Sequence, residues 1–312
     1  MNATSNDRVA AVAFCADPLM EAPLHVAASS LLRHLHADFS LRLYLVLTGF
    51  SPRAVNRLRH TLDRSERKYE LQLLDTPTPE LFRGFRPLHG NLTPYHRLVL
   101  PEIVRDPRLL YLDADMLVRT DVSPLFSQDM NSHAMGFVVD STVEFALEAQ
   151  FFLSLGMSPQ DPAFNSGTML FNLPEWRRQN CSERVFEFCR RFGPQLVSAD
   201  QTALNALFAN HCCRLDDRFN VKIYPGTETG DISFAGILHY AGSPKPWDIG
   251  GKFVLPYAKP WWSELRQCEL PLRRRVPWLT SSAWKRLPRI VGGYRRSLHQ
   301  SRRAFGRARK PF

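Results

Sequence analysis

A chain of 312 residues with 44% hydrophobic content can bury a substantial core, and no apolar run in it approaches the ~20 residues that cross a bilayer. Its six cysteines (Cys15, Cys181, Cys189, Cys212, Cys213 and Cys268) have no CxxC spacing, so they read as ordinary thiols of a reducing compartment rather than as a metal site or disulfide framework. The formal charge of +10 belongs wholly to one end: residues 271–312 hold thirteen Lys/Arg and no acid, leaving 27 basic against 30 acidic residues, a net of −3, in the rest.

Met1–Asp7 has neither a basic start nor an apolar stretch, so no signal peptide is expected and the chain reads as cytoplasmic. Val9–Phe14 is a short buried strand ending in Ala16-Asp17-Pro18. Helical spacing runs from Leu24 to Leu35, and Leu41–Leu47 is the next strand. Ser51-Pro52 supplies an N-cap and a first-turn proline for a second helix. Tyr69–Leu74 is a third strand, Thr93-Pro94 opens a helix running through Leu98 towards Val104, and Leu109–Leu112 is a fourth strand. This alternation predicts an α/β fold, with a mostly parallel central sheet and helices on both faces. Ligands of such sheets collect beyond the carboxyl ends of the strands. No GxGxxG follows the first strand and no GxxxxGKS/T occurs, which excludes the dinucleotide fingerprint and the P-loop.

The fourth strand runs into Asp113-Ala114-Asp115. In extended backbone the two carboxylates share a face, about 6–7 Å apart, and neither can stay unpaired in an apolar strand. If the strand ends at Asp113, both can converge on Mg²⁺ or Mn²⁺, cations that bridge carboxylates to phosphates. The competing reading is a strand end whose aspartates merely accept turn hydrogen bonds. Asn165-Ser166-Gly167 stands where a further strand begins and alone reads as a structural turn. Asp200-Gln201 stands at a helix start, where Asp200 reads equally well as an N-cap. His239, Gly242 and Lys245 share one short loop, which brings together a metal-ligating imidazole and a point charge for phosphate. The basic tail is interleaved with Trp278, Trp284, Tyr294 and Phe305, the pattern of a segment lying on an anionic membrane. An inert tail and a nucleic-acid arm are the alternatives, and the slightly acidic body counts against nucleic acid.

Five segments, in this order and spacing, resemble glycosyltransferase family 8, the retaining nucleotide-sugar transferases. They are Phe14–Asp17, Tyr111–Asp115, Asn165–Gly167, Asp200-Gln201 and His239–Trp247, and the resemblance covers roughly residues 8–265. It implies a nucleotide-diphosphosugar transferase fold of GT-A type over residues 8–270, with residues 271–312 as a membrane-surface tail. It also implies that Asp113, Asp115 and His239 bind Mn²⁺ (or Mg²⁺), with Gly242 and Lys245 serving the diphosphate. Ala16, Asp17, Arg97 and Ala114 would contact the donor. Asp140, Asn165, Asp200 and Gln201 would surround the transferred sugar, with Asp140, Asp200 and Gln201 as the catalytic candidates. Pro18-Leu19 departs from the acidic or amide residue of close relatives, so one nucleotide contact is missing or supplied elsewhere.

The expectation is a retaining, metal-dependent hexosyltransferase. It would move galactose or glucose from UDP-galactose or UDP-glucose to a glycan or lipid-linked saccharide such as lipopolysaccharide core, at the inner face of the cytoplasmic membrane. Two alternatives remain: a nucleotidyltransferase of similar fold and a non-catalytic membrane-bound adaptor. The lack of a Gly-rich basic loop counts against the first. The joint presence of metal ligands, lysine and the Asp-Gln pair counts against the second.

Overall fold

The structure, a computed structural model, describes residues 8–88, 90–225, 227, 235–275, 284, 287–288 and 290–295. Its strands are β1 (Arg8–Ala16), β2 (Phe39–Leu47), β3 (Tyr69–Leu74), β4 (Arg108–Leu112), β5 (Met116–Val118), β6 (Met135–Thr142), β7 (Pro162–Asn172), β8 (Cys213–Arg214), β9 (Val221–Lys222) and β10 (Ile237–His239). Strand β1 is buried from Ala10 to Ala16, as a strand covered on both faces must be. Ala11, Ala13 and Cys15 join Tyr44, Leu109, Tyr111 and Trp176 on one side of the sheet. Ala10, Val12 and Phe14 join Leu24, Leu31, Leu43 and Leu110 on the other.

Seven strands form the main sheet in the order β3-β2-β1-β4-β7-β6-β8. The β1–β2, β2–β3, β1–β4 and β6–β8 pairs are parallel, while β7 runs antiparallel to β4 and β6. The sheet is mostly parallel, as the alternation predicted. The Glu21–His34 helix covers one face through Leu24, Ala27 and Leu31. The Leu173–Arg178 and Cys181–Phe192 helices cover the other through Trp176, Val185 and Cys189. Ser51 caps the Pro52–Asp63 helix, accepting the Ala54 N–H at 3.3 Å.

The helix expected from Thr93 towards Val104 is broken into a 3-10 turn (Thr93–Leu98) and a short α-turn (Leu100–Ile103). Pro101 has no N–H to give to the Arg97 carbonyl, so the ladder stops there.

A second sheet, β5-β10-β9, packs against the first helix. Leu117, Leu238, Tyr240, Trp247 and Trp261 form its core with Val26 of that helix. Ser29 Oγ donates to Glu264 at 2.7 Å and Arg33 pairs with the same carboxylate at 3.0 Å, fastening the Ala258–Gln267 helix to it. The chain beyond is tied down as far as Arg274, which pairs with buried Glu21 at 2.9 Å and donates to the Pro18 carbonyl at 3.2 Å. Trp278 and Phe305 lie outside the described residues, whereas Trp284 is exposed and Ile290 buried. None of the six cysteines is in a disulfide. Among the described residues, no helix is long and apolar enough to cross a membrane.

Candidate active site

Strand β4 stops at Leu112, one residue short of the aspartates, and the chain turns into β5 in the second sheet. The turn is held by the Asp113 N–H, which donates to the Gly167 carbonyl at 2.8 Å, and by the Tyr240 N–H, which donates to the Asp115 carbonyl at 3.1 Å. Antiparallel pairing of Met116 with His239 sets the imidazole beside this turn, although it comes from the far end of the sequence.

The two carboxylates divide their oxygens between two tasks. Asp113 Oδ1 accepts from Tyr111 Oη at 2.9 Å and pairs with Arg97 Nη2 at 3.1 Å. Asp115 Oδ2 pairs with Lys245 Nζ at 2.6 Å. The remaining oxygens, Asp113 Oδ2 and Asp115 Oδ1, face His239 Nε2 at 3.9 and 3.2 Å. Asp115 Oδ1 is buried without a hydrogen bond, an arrangement that a cation would satisfy. Among the described residues, Asp113, Asp115 and His239 are the one group of three such side chains whose ligand atoms lie within 4.8 Å of one another. A carboxylate–imidazole set suits Mn²⁺, since Mg²⁺ is usually held by oxygen alone. Burial alone would raise the Asp115 carboxyl, but Lys245 and His239 beside it outweigh burial and hold it well below the usual carboxylate range.

Arg97 organises the neighbouring side. It is 6% exposed, donates through Nη1 to the Ser166 carbonyl at 2.8 Å, and lies over the Tyr111 ring, 4.5 Å from its centroid. Burial disfavours its charge, yet Asp113 and Asp200 together push its affinity for the proton above the ordinary value. Asp200 is 2% exposed, with Oδ2 lying 3.3 Å from Arg97 Nε. That Nε gives its proton to the Pro94 carbonyl at 2.8 Å, so Asp200 Oδ2 feels the charge without gaining a hydrogen bond. Burial raises the Asp200 carboxyl to about 6, Arg97 opposing the rise and Asp113 adding to it. Asp200 does not cap its helix. Ala199, with φ of +54°, holds the N-cap position, and Asp200 is the first helical residue.

Gln201, next on that helix, accepts through Oε1 from the Ser166 N–H at 3.1 Å and from Asn165 Nδ2 at 3.0 Å. It lines a cleft of about 180 Å³ together with Asn165, Asp140, Lys222 and Tyr224, in which Lys222 pairs with Asp140 at 2.5 Å. A larger depression of about 420 Å³, near Arg8, His36 and Gln128, lies at the opposite, amino-terminal edge of the sheet.

The structure thus gathers Arg97, Asp113, Ala114, Asp115, Asn165, Asp200, Gln201, His239 and Lys245 at one sheet edge, with Asp140 across the cleft. Gly242 sits in the loop leading to Lys245. Ala16 and Asp17 lie at the end of β1, the parallel neighbour of β4, where Asp17 accepts from the Leu19 N–H at 2.8 Å and from Asn91 Nδ2 at 2.7 Å. Sequence reasoning missed Asn91, Asn220 and Lys222, which sit in no recognisable spacing. It also gave no role to Tyr111 and Gly167, although both lie inside motifs it singled out.

The model of Glycosyl transferase family 8 matches residues 12–249. The chain belongs to this family. General stress protein A of Bacillus subtilis is 27% identical over 264 residues, covering 79% of this chain and 90% of that protein. The lipopolysaccharide 1,3-galactosyltransferase of Salmonella typhimurium is 26% identical over 176 residues, 51% of this chain and 50% of that one. The galactosyltransferase LgtC, solved in complex with donor and acceptor sugar analogues, superposes with a TM-score of 0.72 at 28% identity, covering 85% of this chain and 98% of its own. Against the Streptococcus pneumoniae glycosyltransferases GlyA, GlyF and GlyB, the chain spans less than half of the relative's length. As a family 8 member this protein is a glycosyltransferase of GT-A type.

Proposed function

We propose that the protein is a retaining hexosyltransferase that uses Mn²⁺ or Mg²⁺ to move galactose or glucose from UDP-galactose or UDP-glucose to a glycan acceptor, lipid-linked saccharides such as lipopolysaccharide core included. The observation that carries this reading is the convergence of Asp113 Oδ2, Asp115 Oδ1 and His239 Nε2, with each carboxylate's other oxygen held by Arg97 or Lys245. A cation held by these three would stabilise the negative charge gathering on the diphosphate as it leaves. Lys245 adds fixed positive charge, and Gly242 leaves room for the backbone to approach the phosphates. Ala16, Asp17 and Ala114 border the nucleotide, with Asp17 preset by Asn91. Asp200 holds Arg97, while Asn165, Gln201 and Asp140 face the sugar and acceptor across the cleft.

Both lone pairs of Gln201 Oε1 are engaged, which makes it a poor nucleophile and leaves Nε2 to donate into the cleft. This supports transfer on a single face without a covalent intermediate. The bond between C1 and the phosphate oxygen breaks with its electron pair leaving on the diphosphate. The acceptor oxygen then bonds C1 from the same side and passes its proton to the departing phosphate oxygen. The likeness to LgtC, solved with donor and acceptor sugar analogues, supports a sugar donor and a sugar acceptor.

The basic aromatic tail holds the enzyme at the anionic inner face of the cytoplasmic membrane, a role supported by exposed Leu272 (68%) and Trp284 (58%) within the basic segment. The test is UDP release from a panel of UDP-sugars with and without Mn²⁺ and a glycan acceptor. Cation-dependent UDP release from a UDP-hexose is expected. Pyrophosphate release would favour nucleotidyl transfer, and nucleotide binding without turnover would favour the adaptor.

A further inference from the structure

Between the cation ligands and Gln201 lies a set of side-chain amides whose orientations are fixed by groups that can only donate or only accept. Asn220, 4% exposed, ends the Asp217–Asn220 turn that leads into β9. One end of its amide lies 3.4 Å from the Asn165 backbone carbonyl and 3.2 Å from Asn165 Oδ1. A carbonyl oxygen only accepts, and Asn165 Oδ1 is known to be oxygen because it accepts the Gly167 N–H at 2.9 Å. The Asn220 end facing them is therefore Nδ2. The other end, Oδ1, lies 2.9 Å from His239 Nδ1. Since an amide oxygen cannot donate, Nδ1 must carry the proton. In the neutral imidazole the bare nitrogen is then Nε2, on the far side of the ring, facing Asp113 Oδ2 and Asp115 Oδ1.

Taking that trio as the metal site, as proposed above, we infer that Asn220 is a positioning residue. It selects the His239 tautomer whose Nε2 is bare and holds the ring aimed at the cation. An imidazole left to itself exchanges its proton between the two nitrogens, and a proton on Nε2 would face the cation position. Nothing else holds Nδ1: Asn220 Oδ1 is its one hydrogen-bond partner among the described residues. The same amides run on to the sugar side, because Asn165 Nδ2 donates to Gln201 Oε1 at 3.0 Å. Asn220 thus joins the two halves of the site by way of one shared residue, Asn165.

Two measurements test this. In ring ¹H–¹⁵N correlation spectra of histidine-labelled protein, with His239→Gln supplying the assignment, His239 Nδ1 should carry a proton in the wild type and in Asn220→Asp, which keeps an acceptor. In Asn220→Leu that proton should lose its protection from exchange. In titrations followed by Mn²⁺ paramagnetic resonance, Asn220→Leu should bind about 10–100-fold more weakly, the usual effect of losing a partner of a ligating histidine, and Asn220→Asp should restore most of the affinity. A wild-type His239 with a bare Nδ1 would overturn the inference even if Asn220→Leu failed to fold. So would an Asn220→Leu protein that binds Mn²⁺ as the wild type does. Failure of the wild type itself to bind Mn²⁺ would instead remove the metal reading, and this inference with it.

Discussion

A methyl group at Gly167 would press directly on the His239 ring, where a Cβ atom would lie 2.8 Å from Nδ1. Real Cβ atoms do not approach that closely, so Gly167→Ala must push the imidazole away from Asp115. It should lower Mn²⁺ affinity at least about tenfold while costing about 1–3 kcal/mol of stability, as overpacking does. Calorimetric Mn²⁺ binding and thermal unfolding check the two effects separately. Asp113→Ala, Asp115→Ala and His239→Ala should each abolish UDP release with the circular dichroism spectrum retained; a variant that keeps its activity and its cation requirement would leave the ligand set. Gln201→Ala should bind UDP about as well as wild type yet lose roughly 100-fold or more in kcat, the pattern of an interaction made only in the transition state. A collapse of UDP affinity would move Gln201 to the nucleotide. The charged and ligating residues were legible because each breaks an otherwise apolar strand or opens a loop. Asn220 was not, because an amide in Arg218-Phe219-Asn220-Val221 gains meaning only from His239 and Asn165, 19 and 55 residues away.

At the scale of elements, hydrophobic patterning located β1 to β4 and the first two helices within a few residues, but not the break in the segment from Thr93 to Val104. It did not foresee that β5 would leave the main sheet, since Met116-Leu117-Val118 looks like any buried strand until β10 arrives to pair with it. Packing of the first two helices has a consequence for acid stability. His25, fully buried on the Glu21–His34 helix, bonds through Nδ1 to Thr61 Oγ1 of the Pro52–Asp63 helix at 2.7 Å. Burial, helped by Arg57, lowers its pKa to about 3, and burial lowers that of His96 to about 4. Both folded values lie below the unfolded value near 6.5, so the stability that these histidines provide is present above that pH. It is lost as the pH falls from there, at up to ~1.4 kcal/mol per pH unit for each. Asp200, raised to about 6 chiefly by burial, acts in the opposite sense between that value and the unfolded one near 4, and cancels one histidine's share. Urea unfolding between pH 7.5 and 5 should show falling stability, and His25→Gln should flatten the slope; a pH-independent midpoint in both proteins would contradict it.

For the molecule as a whole, the tail and body carry opposite charge, and Arg274 joins them through Glu21. A truncation meant to test membrane attachment should therefore keep Arg274 and Arg275. Ending the chain at Arg295 retains buried Ile290 and removes six of the thirteen basic residues. Vesicles containing anionic lipid should retain the full chain more strongly than this form, with high salt weakening both. Equal sedimentation with neutral and anionic vesicles would give the tail another role. The same long-range architecture bears on how the enzyme comes into being. Lys245 reaches back 130 residues to Asp115, and β10 shares a packed layer with Trp247, Trp261 and the first helix. On the ribosome, the β1–β4 core can form while the loop bearing Lys245 is still unsynthesised. A nascent chain would then be folded yet lack a complete site, and competence would wait for the loop bearing Lys245 to emerge.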